Sequence, residues 1–196
     1  MPNYKRVSKK PAAASADNDF VGYEVLLDFM KKKRLEKLEG DIVEIGAFMG
    51  GGTVKLARLA KKYGKKVYAI DIFDPASDKT PDKNGGKMCD IYQAFLQGRS
   101  QLQVYQQVTK RFDNIVTLNI DSKKVSFDKR QKFIFGFIDG NHQPDYVRND
   151  FKLIWRNLIP GGCVGFHDYN FDLPEVTRAI DDSIYEYKDE IIEINE

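Results

Sequence analysis

The chain has 196 residues, 42% of them hydrophobic, and a formal net charge of +2. This length suits one domain with a sizeable core, and the small net charge gives no reason to expect specific nucleic-acid binding. The two cysteines, Cys89 and Cys163, exclude a disulfide framework and a cysteine-built zinc site. No apolar run is long enough to span a membrane and no signal-peptide core follows the basic N-terminus, so we expect a soluble, cytoplasmic protein.

The N-terminal part of the chain is expected to contain an arm followed by a helix. Residues 1–18 hold few large apolar side chains and include the run PAAASADN, which predicts a flexible arm. Residues 19–196 are expected to form the single domain. Its first helix is predicted from an apolar stripe of helical period, formed by Val21, Val25, Leu26, Phe29 and Met30.

A glycine-rich turn between a predicted strand and a predicted helix is the most informative feature of the sequence. Residues 42–45 form a short apolar run, the turn contains Gly46 and Gly50, and residues 53–63 show helical spacing. Glycines let the backbone approach a ligand and leave N–H groups free at a helix N-terminus, where an anion is favoured. A second apolar run, residues 67–70, ends in Asp71. This order predicts a nucleotide-binding half-fold.

The residues of the turn narrow the choice of nucleotide. The dinucleotide fingerprint requires a glycine where Phe48 stands, and its bulky ring argues against a pyrophosphate. A P-loop is excluded because no Gly-Lys-Ser or Gly-Lys-Thr follows the turn. The remaining pattern, E-x-G-x-x-x-G from Glu44 to Gly50, resembles the first motif of the class I S-adenosylmethionine-dependent methyltransferases.

This resemblance implies a set of cofactor contacts. In that family the glycine turn passes beneath the methionyl part of the cofactor, and an acidic residue after the second strand holds the ribose hydroxyls. Asp71 stands about twenty residues past the turn, at the ribose position, and Glu44 would lie near the ammonium and sulfonium. The third predicted strand, residues 115–120, ends in an acidic and a small polar residue that would meet the adenine. The implied cofactor-binding residues are Glu44, Gly46, Ala47, Phe48, Gly50, Asp71, Asp121, Ser122 and Asp139.

The segment between the second strand and the next predicted helix is unusual. Residues 73–98 are punctuated by prolines and glycines and lie beside the expected cofactor pocket. Two interpretations stay open, a substrate lid and a variable surface loop. A helix over residues 102–112 follows, ahead of the third strand.

Two later predicted strands each deliver an aspartate and a histidine. Phe133–Ile138 is a strongly apolar run that leads into Asp139 and His142, and residues 163–166 lead into His167 and Asp168. A helix is predicted to begin at Pro144 between them. Ligands of open α/β sheets bind at the carboxyl ends of the strands, so these four side chains are candidates for one site.

The same two segments carry a narrower resemblance. IDGNHQPDYVRND and LIPGGCVGFHDY are similar to the motifs of the macrocin O-methyltransferase-like branch, and the likeness covers most of residues 41–182. It implies a Rossmann-like α/β fold, with a mostly parallel sheet covered by helices on both faces, and methyl transfer to a hydroxyl of a small molecule or sugar. Some members and the related catechol enzymes hold Mg²⁺, which implies Asp139 and Asp168 as metal ligands. Tyr169 stands where catechol-type enzymes have an asparagine ligand, so this oxygen-rich site is incomplete.

The chemistry of methyl transfer suggests roles for these residues. A hydroxyl is a weak nucleophile at neutral pH and needs a base or a metal ion. His142 or His167 could act as the base, and Asp139 could orient it or bind an ion that lowers the hydroxyl pKa. The alternative is structural: Asp139 or Asp168 could cap a local turn, and His142 could satisfy a loop carbonyl.

The C-terminal part predicts a helix over residues 174–187 and a sixth strand over residues 191–194. The family sheet normally has a seventh strand, for which no candidate is present, and an exposed sixth-strand edge would favour a homo-oligomer. Two alternatives from other functional classes stay open. One is a nicotinamide-dependent Rossmann oxidoreductase, and the other is a non-catalytic cofactor-binding module of the same fold.

Overall fold

A computed structural model of the protein describes residues 23–81, 84–170 and 172–195. They form an α/β domain around a parallel sheet with the strand order β3-β2-β1-β4-β5. The strands are β1 (Asp41–Ile45), β2 (Val67–Asp71), β3 (Ile115–Asn119), β4 (Phe133–Ile138) and β5 (Leu158–Phe166). The helices are α1 (Tyr23–Lys32), α2 (Gly51–Lys61), α3 (Met88–Leu96), α4 (Gln101–Thr109), α5 (Pro144–Trp155) and α6 (Pro174–Glu186). The predicted arm, residues 1–18, lies outside the described residues, and the proposed domain boundary at residue 19 stays a prediction.

Helices cover both faces of this sheet. On one face, α1 and α2 pack on β1 and β4 through a buried cluster that includes Tyr23, Leu56 and Phe137. On the other face, α5 packs through Phe151 and Ile154. All six residues of β4 are buried, as expected for a central parallel strand whose two faces are both covered. The predicted fold class, a Rossmann-like parallel sheet between two helical layers, is confirmed.

The C-terminal prediction of a sixth strand is wrong. Residues 191–195 have no regular secondary structure, and Ile192 is 94% exposed. Side-chain contacts hold this part of the chain instead, from Trp155 Nε1 to Glu190 at 3.2 Å and from Lys33 Nζ to Glu193 at 2.5 Å. An apolar run becomes a strand only when a neighbouring strand accepts its backbone hydrogen bonds. β5 is therefore an edge strand of the described sheet.

The segment over residues 73–98 contains a helix that the sequence analysis did not predict. An isolated bridge between Pro81 and Lys87 folds the chain back, and α3 follows directly. The prolines and glycines that precede α3 predict an irregular segment, although α3 itself contains neither residue. None of the helices in the described residues has the length and apolar character of a membrane span.

Candidate functional site

The carboxyl ends of the strands open onto a cavity of about 780 Å³. Its walls come from the ends of β1, β2, β4 and β5, from the segment after β2 and from α3. This is the edge at which parallel α/β sheets bind their ligands. Of the residues predicted to form the site, eight line this cavity: Gly46, Phe48, Asp71, Asp121, Ser122, Asp139, His142 and His167. The metal candidate Asp168 lines it as well.

The glycine turn lies against the end of β4. Gly46 has a φ of 94°, and a Cβ at this position would clash with the backbone carbonyl of Asp139. Phe48 also has a positive φ, 45°, which directs its N–H to Asp71 Oδ2 at 2.8 Å. The Phe48 ring contacts the Tyr92 ring, with 5.5 Å between ring centroids. The turn is thus a fixed backbone surface on which a flat or extended ligand can lie.

Asp71 is held by several donors at once. It accepts hydrogen bonds from the N–H groups of Phe48 and Phe73, and Gln101 Nε2 lies 3.3 Å from both of its carboxylate oxygens. Burial raises the pKa of Asp71 to about 6, and these hydrogen bonds oppose the rise. The group is therefore an anion at neutral pH and faces the cavity, which suits hydroxyl recognition. Gln101 is a residue that the sequence analysis missed, since nothing in its local pattern marks it.

Glu44 does not reach the cavity, which corrects the implied contact with the charged end of the cofactor. Side chains alternate along a strand, so Glu44 faces α1 and α2 together with Ile42. It is 0% exposed and accepts hydrogen bonds from the Tyr23 hydroxyl, at 2.6 Å, and from the Thr53 hydroxyl. Burial is the main cause that raises its pKa to about 7. Glu44 therefore ties two helices to β1.

Two further turn residues, Ala47 and Gly50, are not among those that line the cavity. Ala47 is buried in a cluster with Tyr105, and Gly50 caps α2 with a φ of 85°. A Cβ at Gly50 would lie 3.0 Å from the Tyr105 ring and 3.1 Å from Thr109. The Ala47 side chain and the Gly50 backbone thus pack against α4, and their implied cofactor contacts stay predictions.

The end of β3 supplies a separate part of the cavity wall. Asp121 accepts a hydrogen bond from the N–H of Lys123 at 2.9 Å and from the Tyr146 hydroxyl at 3.2 Å. Ser122 is buried beside it and lines the cavity. The ammonium of Lys123 lies 3.9 Å from the Tyr146 ring centroid, a cation–π distance. Tyr146 and the end of β3 are thus fixed together at one end of the cavity.

His142 lies between two carboxylates at the opposite end. Its Nδ1 is 2.6 Å from Asp78 Oδ2 and its Nε2 is 2.6 Å from Asp168 Oδ2. Burial lowers the pKa of His142, but the two carboxylates outweigh it and raise the pKa to about 9. At neutral pH the ring is therefore a cation that donates from both nitrogens. This corrects its predicted role as a free base, because the proton is already on the ring.

His167 lies beside the other two acids of the cluster. Its Nδ1 is 3.1 Å from Asp139 Oδ1 and 2.8 Å from Asp168 Oδ2, yet it makes no well-aligned hydrogen bond. Burial opposes protonation, but the two carboxylates raise the pKa of His167 to about 10. The contact is thus ionic rather than directional. These two carboxylates favour the protonated ring, and the role of His167 as a base stays a prediction.

Asp78 is the second functional candidate that the sequence analysis missed. It belongs to the segment over residues 73–98 and is 4% exposed. Besides the ring of His142, it accepts a hydrogen bond from the His142 backbone N–H at 3.2 Å. Burial opposes ionisation, but the hydrogen bond from His142 lowers the pKa of Asp78. A lone aspartate in an irregular segment carries no sequence signal, because its partner is 64 positions away.

Three of these side chains could also hold a metal ion. Donor atoms of Asp139, His142 and Asp168 lie within 4.8 Å of one another. One imidazole and two carboxylates suit a transition metal better than Mg²⁺, which prefers an all-oxygen shell. The imidazole nitrogen also already pairs with Asp168. The donor set therefore does not fit the implied Mg²⁺.

Comparisons of sequence and of structure both relate this chain to methyltransferases. Residues 43–169 match a family described as a methyltransferase domain. The solved O-methyltransferase NovP aligns with a TM-score of 0.63 and 16% identity, covering 85% of this chain and 72% of NovP. A structure of CalS11, described as a TDP-rhamnose 3'-O-methyltransferase of calicheamicin biosynthesis, aligns with a TM-score of 0.57 and 15% identity, covering 82% of this chain and 68% of CalS11. At these identities the structural likeness shows a shared fold.

Proposed function

The chain belongs to the class I S-adenosylmethionine-dependent methyltransferases, and we propose that it methylates a hydroxyl oxygen of a small molecule or sugar. The family membership replaces the nicotinamide-dependent alternative. The observation that carries the proposal is the acid–imidazole cluster at the end of the cavity opposite Asp121. This cluster consists of Asp139, His142, His167 and Asp168, and it shares the cavity with the glycine turn.

The cofactor is placed along the glycine turn in this proposal. Asp71 would accept hydrogen bonds from the ribose hydroxyls, since it is a fixed carboxylate at the cavity wall. The adenine would lie at the end of β3 beside Asp121 and Ser122, where Ile72 and Ile120 add apolar surface. With the cofactor bound in this way, its methyl donor would face the acid–imidazole cluster. Gly46 supports it because the glycine turn contacts Asp139 directly.

The reaction needs a group that takes the hydroxyl proton. In an in-line displacement the C–O bond forms as the C–S bond breaks, which leaves a neutral thioether and a proton to be removed. We assign this task to Asp139, because its carboxylate is 19% exposed at the cavity, whereas the His142 ring is enclosed by Asp78 and Asp168. His167, as a cation beside Asp139, would offset the developing negative charge on oxygen.

His142 has a supporting role in this scheme. As a buried cation it holds Asp168 and Asp78 in place rather than accepting the substrate proton. Asp168 in turn contacts His167, so the four side chains act as one unit. The names of two neighbours support an oxygen acceptor: NovP is an O-methyltransferase, and CalS11 methylates a sugar hydroxyl. A cytoplasmic location and a homo-oligomer stay predictions, although the sixth-strand edge from which the oligomer was predicted is absent from the described residues.

Two measurements test this proposal. Isothermal titration should show binding of S-adenosylhomocysteine and none of NAD or NADP. A panel of phenols, sugars and aliphatic alcohols is then screened for release of S-adenosylhomocysteine. Asp139→Asn should retain cofactor binding and reduce methyl transfer by about 100-fold or more, since it removes the proton acceptor.

The matched control is Asp145→Asn, a substitution in the first turn of α5 at a side chain that is 84% exposed. It should leave both readings unchanged. Failure to bind S-adenosylhomocysteine would contradict the proposal. Normal cofactor binding combined with full activity of Asp139→Asn would remove Asp139 from the reaction.

A further inference from the structure

The walls of the cavity are far more acidic than the chain as a whole. The chain has 31 lysines and arginines against 29 aspartates and glutamates. Among the described residues that line the cavity there is no lysine or arginine, whereas seven are aspartates: Asp71, Asp74, Asp78, Asp121, Asp139, Asp168 and Asp172. From this imbalance we infer that the enzyme selects acceptors that carry a positive charge, tolerates neutral ones and rejects phosphorylated or carboxylate acceptors. The inference rests on the proposed function, because it assigns the substrate class of the same cavity.

The two imidazoles do not reverse this imbalance. His142 is enclosed by Asp78 and Asp168, and His167 lies against Asp139 and Asp168. Each cation is thus matched by carboxylates within the protein, so neither offers a free positive charge to a phosphate. Even with Asp71 and Asp121 assigned to the cofactor, five of the seven aspartates remain at the cavity against two imidazole rings.

Tyr92 shows that the negative charges act on the same place. This residue of α3 lines the cavity, and its hydroxyl lies 3.4 Å from His142 Nδ1. The carboxylates of Asp71, Asp78, Asp139 and Asp168 line the same cavity as Tyr92. Four carboxylates from three segments therefore disfavour an added negative charge at this one point. In a partly enclosed cavity such fields are screened less than at an open surface.

Apolar side chains complete the wall on the acceptor side. Met88, Ile91 and Tyr92 project from α3, and Leu173 contributes from the residue before α6. Ile91 remains 38% exposed, which leaves apolar surface for the body of a ligand. A small hydroxylated amine fits these features, since its carbon skeleton can contact α3 and its ammonium can face the carboxylates.

CalS11 shares the fold but is described with a negatively charged acceptor. That enzyme is described as acting on TDP-rhamnose, which carries a diphosphate. A diphosphate in the present cavity would lie among aspartates without a lysine or arginine from the described wall. Like charges placed together in this way oppose binding. A shared fold thus accommodates a different charge class of acceptor.

The test uses sets of acceptors that share a hydroxylated core and differ in charge. One triplet is tyramine, 4-ethylphenol and 4-hydroxyphenylacetate, and a second is glucosamine, glucose and glucuronate. Methyl transfer and thermal stabilisation of the S-adenosylhomocysteine complex are measured for each compound. In any triplet that is used, the amine should exceed the carboxylate in kcat/KM by about tenfold or more, with the neutral compound between them.

Two variants test whether the carboxylates of the cavity wall cause the preference for amines. Asp172→Asn removes a carboxylate at the cavity without touching the acid–imidazole cluster, and we expect it to reduce the preference for the amine by about threefold. Asp113→Asn makes the same change of charge at a side chain that is 79% exposed, outside the cavity. It should leave the preference unchanged.

The outcomes separate the two proposals. A preference for the carboxylate member, or turnover of TDP-rhamnose equal to that of the amines, would overturn the inference while methyl transfer itself stands. The inference also fails if S-adenosylhomocysteine binds but no amine is methylated or stabilises the complex. Absence of S-adenosylhomocysteine binding would instead overturn the proposed function.

Discussion

The two ends of the cavity are held together in different ways. At the cofactor end, backbone N–H groups of the glycine turn and its neighbours fix Asp71. At the acceptor end, side chains fix one another, and His142 joins Asp78 to Asp168 across three segments of the chain. A surface formed by the backbone tolerates most side-chain changes, whereas a chain of ion pairs loses several contacts when one member is removed. The two ends should therefore respond differently to substitution.

The largest expected effect tests the backbone at the cofactor end. Gly46→Ala combines a φ of 94° with a clash against the Asp139 carbonyl, so we expect a loss of about 3–5 kcal/mol in unfolding free energy and no cofactor binding. Gly64→Ala is the matched control, since Gly64 has a φ of 68° but no atom near the added Cβ. It should cost about 1 kcal/mol. Equal losses in chemical denaturation would show that the contact with Asp139 contributes nothing.

The next effect tests the ion pairs at the acceptor end. Asp78→Ala leaves the buried His142 cation without one of its two acceptors, which should cost about 3 kcal/mol and lower methyl transfer about tenfold or more. Asp74→Ala, at an exposed neighbour in the same segment, is the control for stability alone and should cost much less unfolding free energy. A double-mutant cycle of Asp78→Ala with His142→Ala measures the coupling. Additive losses would break the argument that these side chains act as one unit.

A smaller effect concerns pH and the buried Glu44. Because its folded pKa is raised from 4.5 to about 7, the native state binds more protons than the unfolded state in this window. Stability from this group is therefore fully present below pH 4.5 and is lost as the pH rises to 7, by about 3 kcal/mol. Glu44→Gln should flatten this part of the stability curve of the cofactor-free protein. A fall of unchanged size in Glu44→Gln would assign the pH dependence to other groups.

The smallest effect concerns Mg²⁺. Since the donor set contains an imidazole that already pairs with Asp168, removal of Mg²⁺ by EDTA should change methyl transfer by less than about twofold. A loss that Mg²⁺ restores would contradict this expectation. A loss restored by Mn²⁺ alone would instead show that the acceptor end holds a transition metal.

The same contrast explains which features could be predicted from the sequence. The Phe133–Ile138 strand and the glycine turn rest on local patterns of burial and backbone freedom, and the structure has both. The orientation of Glu44 depends on which helices cover its face of β1, and the protonation of His142 depends on Asp78. Tyr23, which contacts Glu44 from α1, is 21 positions away from it, and Asp78 is 64 positions away from His142. The wrong sixth strand has the same origin, because strand formation depends on a pairing partner that an apolar run does not specify.

The most direct test of the account is to locate the transferred methyl group. The enzyme is incubated with S-adenosylmethionine labelled with ¹³C in its methyl group and with the matched acceptor triplets, and the product is analysed by NMR. The account predicts a labelled methyl ether on oxygen, formed by the wild type and suppressed in Asp139→Asn although that variant still binds S-adenosylhomocysteine. A label on nitrogen or carbon, or equal ether formation by the variant, would contradict it.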